Sequence, residues 1–336
     1  MRQWSARAVL IAVVAICLVV CGGRLVAQAQ GSLLDPEAHV VNEETLLRQN
    51  PRIEGQILIP DQREAVLIQP AGRTWRYFHE IVLRWVGAVA IVGTVALLTA
   101  AYFFLGPIRI SAGRSGRRIK RFNAFERFVH WLTATSFLVL ALTGLNVTFG
   151  KLLLRPLIGA DAFSTLSEAA KYAHNFTSFA FVLGLLLIVA IFIKDNIPEK
   201  LDLEWFRQGG GFIATKHPSA RRFNAGEKLV FWGVLGAGAA VTVSGFLLLF
   251  PFYGTNIAGM QITQGVHGVI AVLFVAMILG HIYIGTVGTE GAFEAMATGT
   301  VDLNWAREHH DLWLEDELGK RRPDNWPELP SATPAE

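Results

Sequence analysis

Nine histidines occur in the 336-residue chain, and four of them, His130, His174, His267 and His281, fall inside long apolar stretches. An ionisable side chain within a membrane span is costly and marks a functional position by default. His267 and His281 stand 14 residues apart, close to four helical turns, so they share one face about 21 Å apart along the axis. Neutral imidazole is a metal ligand, and two imidazoles on one iron leave it no open position, which favours electron transfer over oxygen chemistry. Zinc suits separated pairs poorly because it takes three or four protein ligands. A proton relay needs nearby acids, and the stretches bearing these histidines have none in mid-span. Any one of the four, taken alone, could equally be an interhelical hydrogen-bonding group. Of the others, His79 reads as interfacial beside Trp75 and Tyr77, His217 lies in a polar loop, and His309 and His310 read as solvated surface.

The elements that must position these residues are apolar and helical. The chain is 52% hydrophobic and only 17% charged, against about 25% charged for a soluble domain. Its nine Trp and 22 Phe suit aromatic belts at bilayer surfaces. Arg2, Arg7, an apolar run from Ala8 to Val20 and Ala27-Gln28-Ala29 describe a signal peptide over residues 1–29, with an uncleaved anchor as the alternative. Both cysteines, Cys17 and Cys21, lie there, so neither a disulfide nor a cysteine-held metal centre is expected in the mature chain. Residues 30–76 are polar, hold Pro36, Pro51, Pro60 and Pro70, and read as an exported segment. Five stretches then qualify as spans of about 20 residues or more: about Ile81 to Leu105, Phe125 to Phe149, Tyr172 to Ile193, Lys228 to Phe250 and Gln264 to Val287. The expected fold is an all-α membrane protein: a four-helix heme-binding transmembrane bundle over 107–290 plus one additional N-terminal transmembrane helix over 77–106. Residues 291–336 form a polar tail.

Charge orients the spans. The loops from Arg109 to Arg127 and from Lys194 to Lys228 each hold seven Lys or Arg; the intervening outer loop holds Lys151, Arg155 and Lys171, and Phe252 to Thr263 hold none. The positive-inside rule puts the two basic loops and the C-terminus in the cytoplasm and the N-terminal segment in the periplasm of a bacterial inner membrane. His174 and His267 then lie at the outer level, His130 and His281 at the inner one. Each pair could supply both axial ligands of one heme. Gly144, Gly184, Gly245, Gly268 and Gly280 could let a porphyrin lie against backbone or could be ordinary packing glycines.

A local repeat joins two of the spans. Arg121-Phe122-Asn123-Ala124-Phe125-Glu126-Arg127-Phe128-Val129-His130-Trp131 matches Arg222-Phe223-Asn224-Ala225-Gly226-Glu227-Lys228-Leu229-Val230-Phe231-Trp232. Asn123 with Glu126, and Asn224 with Glu227, have the spacing of capping boxes. His130 stands where the second copy has Phe231.

Several of these segments carry a resemblance. Phe128-Val129-His130-Trp131, Asp195-Asn196-Ile197-Pro198-Glu199-Lys200, Phe223-Asn224-Ala225-Gly226 and Trp305-Ala306-Arg307-Glu308-His309-His310, together with His267 and His281, resemble the gamma (cytochrome b) subunit of bacterial respiratory formate dehydrogenase. The likeness covers about Lys120 to Trp313. Ile59-Pro60-Asp61, Gln69 to Arg73 and Phe78-His79-Glu80 resemble a longer variant of that family with an N-terminal extension. The resemblance implies two b hemes held by the pairs His174/His267 and His130/His281. It implies quinone, ubiquinone or menaquinone, as acceptor near the cytoplasmic face. It also implies an iron–sulfur beta subunit and a molybdenum- or tungsten-pterin alpha subunit as partners, and no nucleic acid. The family's quinone motif falls on Asn224 and Gly226, where the capping role competes with a quinone role; here the fourth motif residue is Glu227. The cytochrome of a membrane hydrogenase or another molybdoenzyme, or a heme-free anchor, would share much of this pattern.

Overall fold

The computed structural model describes residues 54–56, 66–68, 72–210, 218–251 and 253–321. The expected signal peptide with Cys17 and Cys21, most of the exported segment, His217 and the end of the tail lie outside the described residues. Two short strands, β1 (Glu54–Gln56) and β2 (Val66–Ile68), pair antiparallel. Helix α1 (Leu83–Phe104) continues from helical residues Gly72–Tyr77 through a wider turn at Phe78–Val82. Then come β3 (Arg118–Lys120), α2 (Ala124–Leu145), α3 (Ala160–Phe192), α4 (Lys200–Arg207), α5 (Ala225–Leu249) and α6 (Ile257–Tyr283). Helix α7 (Ala292–Ala297), β4 (Thr300–Asp302), α8 (Leu303–His309) and α9 (Asp311–Arg321) complete the described chain.

Five helical segments, Thr74–Phe104, Ala124–Leu153, Ala160–Asn196, Ala225–Leu249 and Ile257–Gly288, are long and apolar enough to cross a bilayer. The chain is an all-α integral membrane protein. Helix α3 begins at Ala160, twelve residues before the apolar stretch that announced it at Tyr172. The lead-in, Ala160 to Lys171, holds four Ala with Leu166, Glu168 and Lys171, residues that propagate a helix without needing an apolar face. At 33 residues, α3 is about 50 Å long, well beyond a hydrocarbon core of about 30 Å. His174 therefore sits inside a continuous helix rather than at its start.

The chain clusters into two compact units. The first comprises the described residues up to Gly106, Trp131–Leu186 and Gly233–Tyr283, and it is the apolar one. Its centre is Phe181, Leu185 and Phe274, with Phe137 packed against them and its ring 4.7 Å from that of Phe274. Small residues let the helices close in. A Cβ on Gly184 of α3 would strike the Thr133 hydroxyl of α2 and crowd its Cα, one on Gly238 of α5 would meet Leu185, and one on Gly233 would meet Met277 of α6. Helix α1 seats the buried Leu83 over Gly268 of α6 and brings Gly87 to Val272. Outward-facing Leu142, Leu186 and Val243 are exposed, as a lipid-facing surface requires.

The second unit, the described residues of Pro107–His130, of Leu187–Trp232 and from Ile284 onward, is organised by charge and aromatic rings. Strand β3 pairs antiparallel with β4, Ile119 opposite Val301. Asp302 ties this ladder to α8: its carboxylate accepts from the backbone N–H groups of Ser115, Gly116 and Asn304 and from the Ser115 hydroxyl. Burial opposes ionisation of Asp302, yet these donors outweigh it and hold the carboxyl below its usual range.

Candidate heme centre and the charged cluster

Helices α3 and α6 present His174 and His267 to each other. The ring centres are 6.3 Å apart and the planes are inclined by 69°. Each ring is backed by a hydroxyl and a glycine from the preceding helix. Thr143 Oγ1 of α2 lies 2.8 Å from His174 Nδ1, and Ser244 Oγ of α5 lies 3.0 Å from His267 Nδ1. A Cβ on Gly144 would stand 3.5 Å from His174 Cε1, and one on Gly245 would stand 3.4 Å from His267 Cε1. The two arrangements are the same contact made twice. Thr143-Gly144 and Ser244-Gly245 keep the 101-residue offset that relates Arg121 to Arg222, so the repeat runs much further than its obvious motif. Seven residues beyond each histidine a phenylalanine, Phe181 or Phe274, enters the core.

The geometry fits the expected heme iron. Two metal–imidazole bonds of about 2 Å each, with the reach from each ring centre to its own nitrogen, fill most of the 6.3 Å between the rings. Among the described residues no three His, Cys, Asp or Glu gather to hold a metal ion. Of the five glycines singled out, Gly184 and Gly268 pack helix on helix, Gly144 and Gly245 lie against the His174 and His267 rings, and Gly280 faces open space.

Helix α6 is unbroken from His267 to His281, so their spacing of about 21 Å along the axis holds. His281 lies on the last turn of α6, and His130 on the second turn of α2. The pairing of these two rests on their depth along their helices. His79 stacks on Trp75 with ring centres 5.6 Å apart.

The cap motifs form as their spacing predicts. Asn123 Oδ1 accepts from the N–H of Glu126 (2.9 Å) while the Glu126 carboxylate accepts from the N–H of Asn123 (2.8 Å). Asn224 and Glu227 do the same at 2.9 and 3.0 Å. The Asn224 oxygen is thus engaged in the cap, and a Cβ on Gly226 would stand 3.1 Å from the Trp205 indole.

Sequence reasoning missed what else the two motifs do. Arg121 of the first copy bonds Glu227 of the second (3.1 Å), and Arg222 of the second bonds Glu126 of the first (2.6 Å). The Arg121 side chain is 1% exposed and lies 5.2–5.9 Å from the ring centres of Phe122, Phe223, Trp305 and Trp313, within cation–π range. Burial lowers its pKa, partly offset by Glu227. Burial also works against the charge of Arg222, but Glu126 and Asp195 raise it above the ordinary value.

His310, expected on a solvated surface, is 0% exposed. Its Nδ1 donates to the Arg221 carbonyl (2.9 Å) and its Nε2 lies 3.6 Å from the Glu227 carboxylate. Burial, with the charge of Arg121, holds it well below the usual imidazole pKa. Average charge misled here: Trp305, Ala306, His310, Trp313 and Leu314 make a buried stripe, while Arg307, Glu315 and Asp316 carry the charge on the exposed side.

A family model described as prokaryotic cytochrome b561 matches residues 121–299, just over half of the chain. The cytochrome b556(Fdn) subunit of the nitrate-inducible formate dehydrogenase of Escherichia coli (strain K12) is 25% identical over 206 residues, 60% of this chain and 92% of that protein. The cytochrome b556(fdo) subunit of formate dehydrogenase from the same strain is 25% identical over 59% of this chain and 92% of its own length. The formate dehydrogenase cytochrome b556 subunit of Haemophilus influenzae is 25% identical over 60% of this chain and 84% of its own. With the matched residues holding all four of the histidines His130, His174, His267 and His281 and most of the charged cluster, the chain belongs to the prokaryotic cytochrome b561 family.

Proposed function

We propose that this chain is the diheme cytochrome b subunit of a formate dehydrogenase, carrying electrons from an iron–sulfur partner to quinone and not itself oxidising formate. The observation that carries the reading is the facing of His174 and His267, each backed by a hydroxyl and a glycine, in a chain similar to formate dehydrogenase cytochrome subunits.

In this reading His174 and His267 hold one b heme at the outer level, and His130 and His281 hold a second at the inner level. Heme iron with two imidazole ligands supplies one-electron exchange and no open position for oxygen. The apolar core around Phe137, Phe181 and Phe274 excludes water from the space between the levels. Asn224 and Gly226, at the start of α5, sit at the end where quinone would be reduced, ubiquinone or menaquinone. The partners are an iron–sulfur beta subunit and a molybdenum- or tungsten-pterin alpha subunit. The protein lies in the bacterial inner membrane, with its N-terminal segment periplasmic and its C-terminus cytoplasmic. Inward electron flow opposes the membrane potential at about 2.3 kcal/mol per electron per 100 mV, so with cytoplasmic proton uptake it conserves energy.

The test is a reduced-minus-oxidised spectrum of the purified membrane complex with heme quantified per chain, for the native protein, His267→Ala and His130→Ala. Two b hemes in the native protein, with one lost in each variant, is the expected result. A folded preparation without heme would leave a bare membrane anchor as the better account.

A further inference from the structure

The two hydroxyls beside the outer histidines have little freedom in how they bond. Thr143 Oγ1 lies 2.7 Å from the carbonyl of Val139 one turn earlier, and Ser244 Oγ lies 2.7 Å from that of Ala240. A hydroxyl has one proton to give and two lone pairs. That proton goes to the helix carbonyl, which cannot donate in return, so toward the ring the hydroxyl acts as acceptor. His174 Nδ1 and His267 Nδ1 therefore carry the N–H. A neutral imidazole has a single N–H, so each Nε2 is left with its lone pair, the state a metal ligand needs.

We propose that Thr143 and Ser244 are positioning residues: they fix the tautomer and orientation of the two outer histidines and set the reduction potential of the heme those histidines hold. The proposal rests on the reading of His174 and His267 as ligands. An outer acceptor on a ligand's second N–H raises the ligand's basicity, which favours ferric over ferrous iron and lowers the potential. Both axial ligands receive the same acceptor from equivalent positions of the repeat, so the effect is applied from both sides of one iron. Arrangement, not mere polarity, is what the repeat preserves: the hydroxyl, the glycine after it and the carbonyl four residues before it recur together at the 101-residue offset.

The experiment uses the purified complex in its heme-loaded form, with Thr143→Val and Ser244→Ala set against Thr143→Ser and Ser244→Thr. Heme per chain, the midpoint potential of each heme and the low-temperature electron paramagnetic resonance of each ferric centre are measured. Thr143→Val and Ser244→Ala are expected to raise the midpoint of one heme only, by about 59 mV for each tenfold loss of ferric preference, and to move the resonance of that same centre. Thr143→Ser and Ser244→Thr are expected to keep native values. Loss of one heme in the hydroxyl-free variants, with retention in the conservative ones, would equally support the proposal. Two hemes with unchanged potentials and spectra in Thr143→Val and Ser244→Ala would overturn it while leaving the ligand reading intact. A native protein whose heme content is unaffected by His267→Ala would instead sink the ligand reading.

Discussion

At the apolar end of the repeat, Thr143 and Ser244 bond within their own copy: to a carbonyl one turn back and to a histidine on the next helix along the chain, 31 and 23 residues away. At the polar end, Arg121 and Arg222 do the reverse and exchange partners between copies, reaching Glu227 and Glu126 across 106 and 96 residues. One sequence motif thus satisfies its polar groups by two routes. In hydrocarbon an unsatisfied group has no water to turn to, so short side chains that fold back on their own helix are the safer device. Where the chain is polar, a long guanidinium with a planar fork can bridge separate segments, and the swap staples two helix starts together.

Removing the staple should have the largest effect. Arg121→Met leaves Glu227 without its cation and the Trp305 and Trp313 rings without theirs, while Phe122 and Phe223 keep Arg222. Breaking a buried ion pair costs about 3–5 kcal/mol, and the 38% exposure of the Glu227 side chain places the expected loss near the low end, about 3 kcal/mol. Thermal unfolding of the purified protein would measure it; a loss under about 1 kcal/mol would mean that the swap is ornamental.

The apolar end should resist added volume instead. Gly184→Val would drive a side chain into the Thr133 hydroxyl and Cα, and overpacking of this kind costs about 1–3 kcal/mol. Gly93→Ala, where nothing lies within 4 Å, should leave the unfolding temperature unchanged. Equal effects of the two substitutions would show that close approach of α2 and α3 contributes nothing.

The smallest expected effect is one of pH. His310 is buried beside Arg121 and Glu227, with His309 adjacent, and its pKa lies well below 6.5. Below pH 6.5 the unfolded chain binds a proton at this residue that the folded chain refuses, so stability is full at neutral pH and declines as the pH falls from about 6.5 toward the folded pKa. The slope from this one group approaches about 1.4 kcal/mol per pH unit. Unfolding measured between pH 7.5 and 5 should be flatter in His310→Phe than in the native protein; parallel curves would mean that His310 protonates without opposing the fold.

Some of this was legible before any coordinates. Both capping boxes were read from a three-residue spacing because the donors and acceptors belong to one turn. The start of α3 was misplaced by twelve residues because apolar content marks the membrane, not the helix. Depth along the helices suggested His174 beside His267, whose ring centres lie 6.3 Å apart. The 101-residue repeat could have led to Thr143 and Ser244 had it been followed past Trp131 and Trp232. Nothing local marked His310, whose burial depends on a surface supplied by distant residues.

The amino-acid sequence by itself determined the five apolar lengths, the caps that start α2 and α5 and the place of each membrane histidine along its apolar stretch, since each follows from neighbours within a few turns. Only the tertiary structure decided which hydroxyl stands behind which imidazole, that the two arginines trade carboxylates, and that a charged stretch hides a buried histidine. Those outcomes depend on which side chain faces which across separate helices, and helical periodicity fixes a residue's face without naming what will be packed against it.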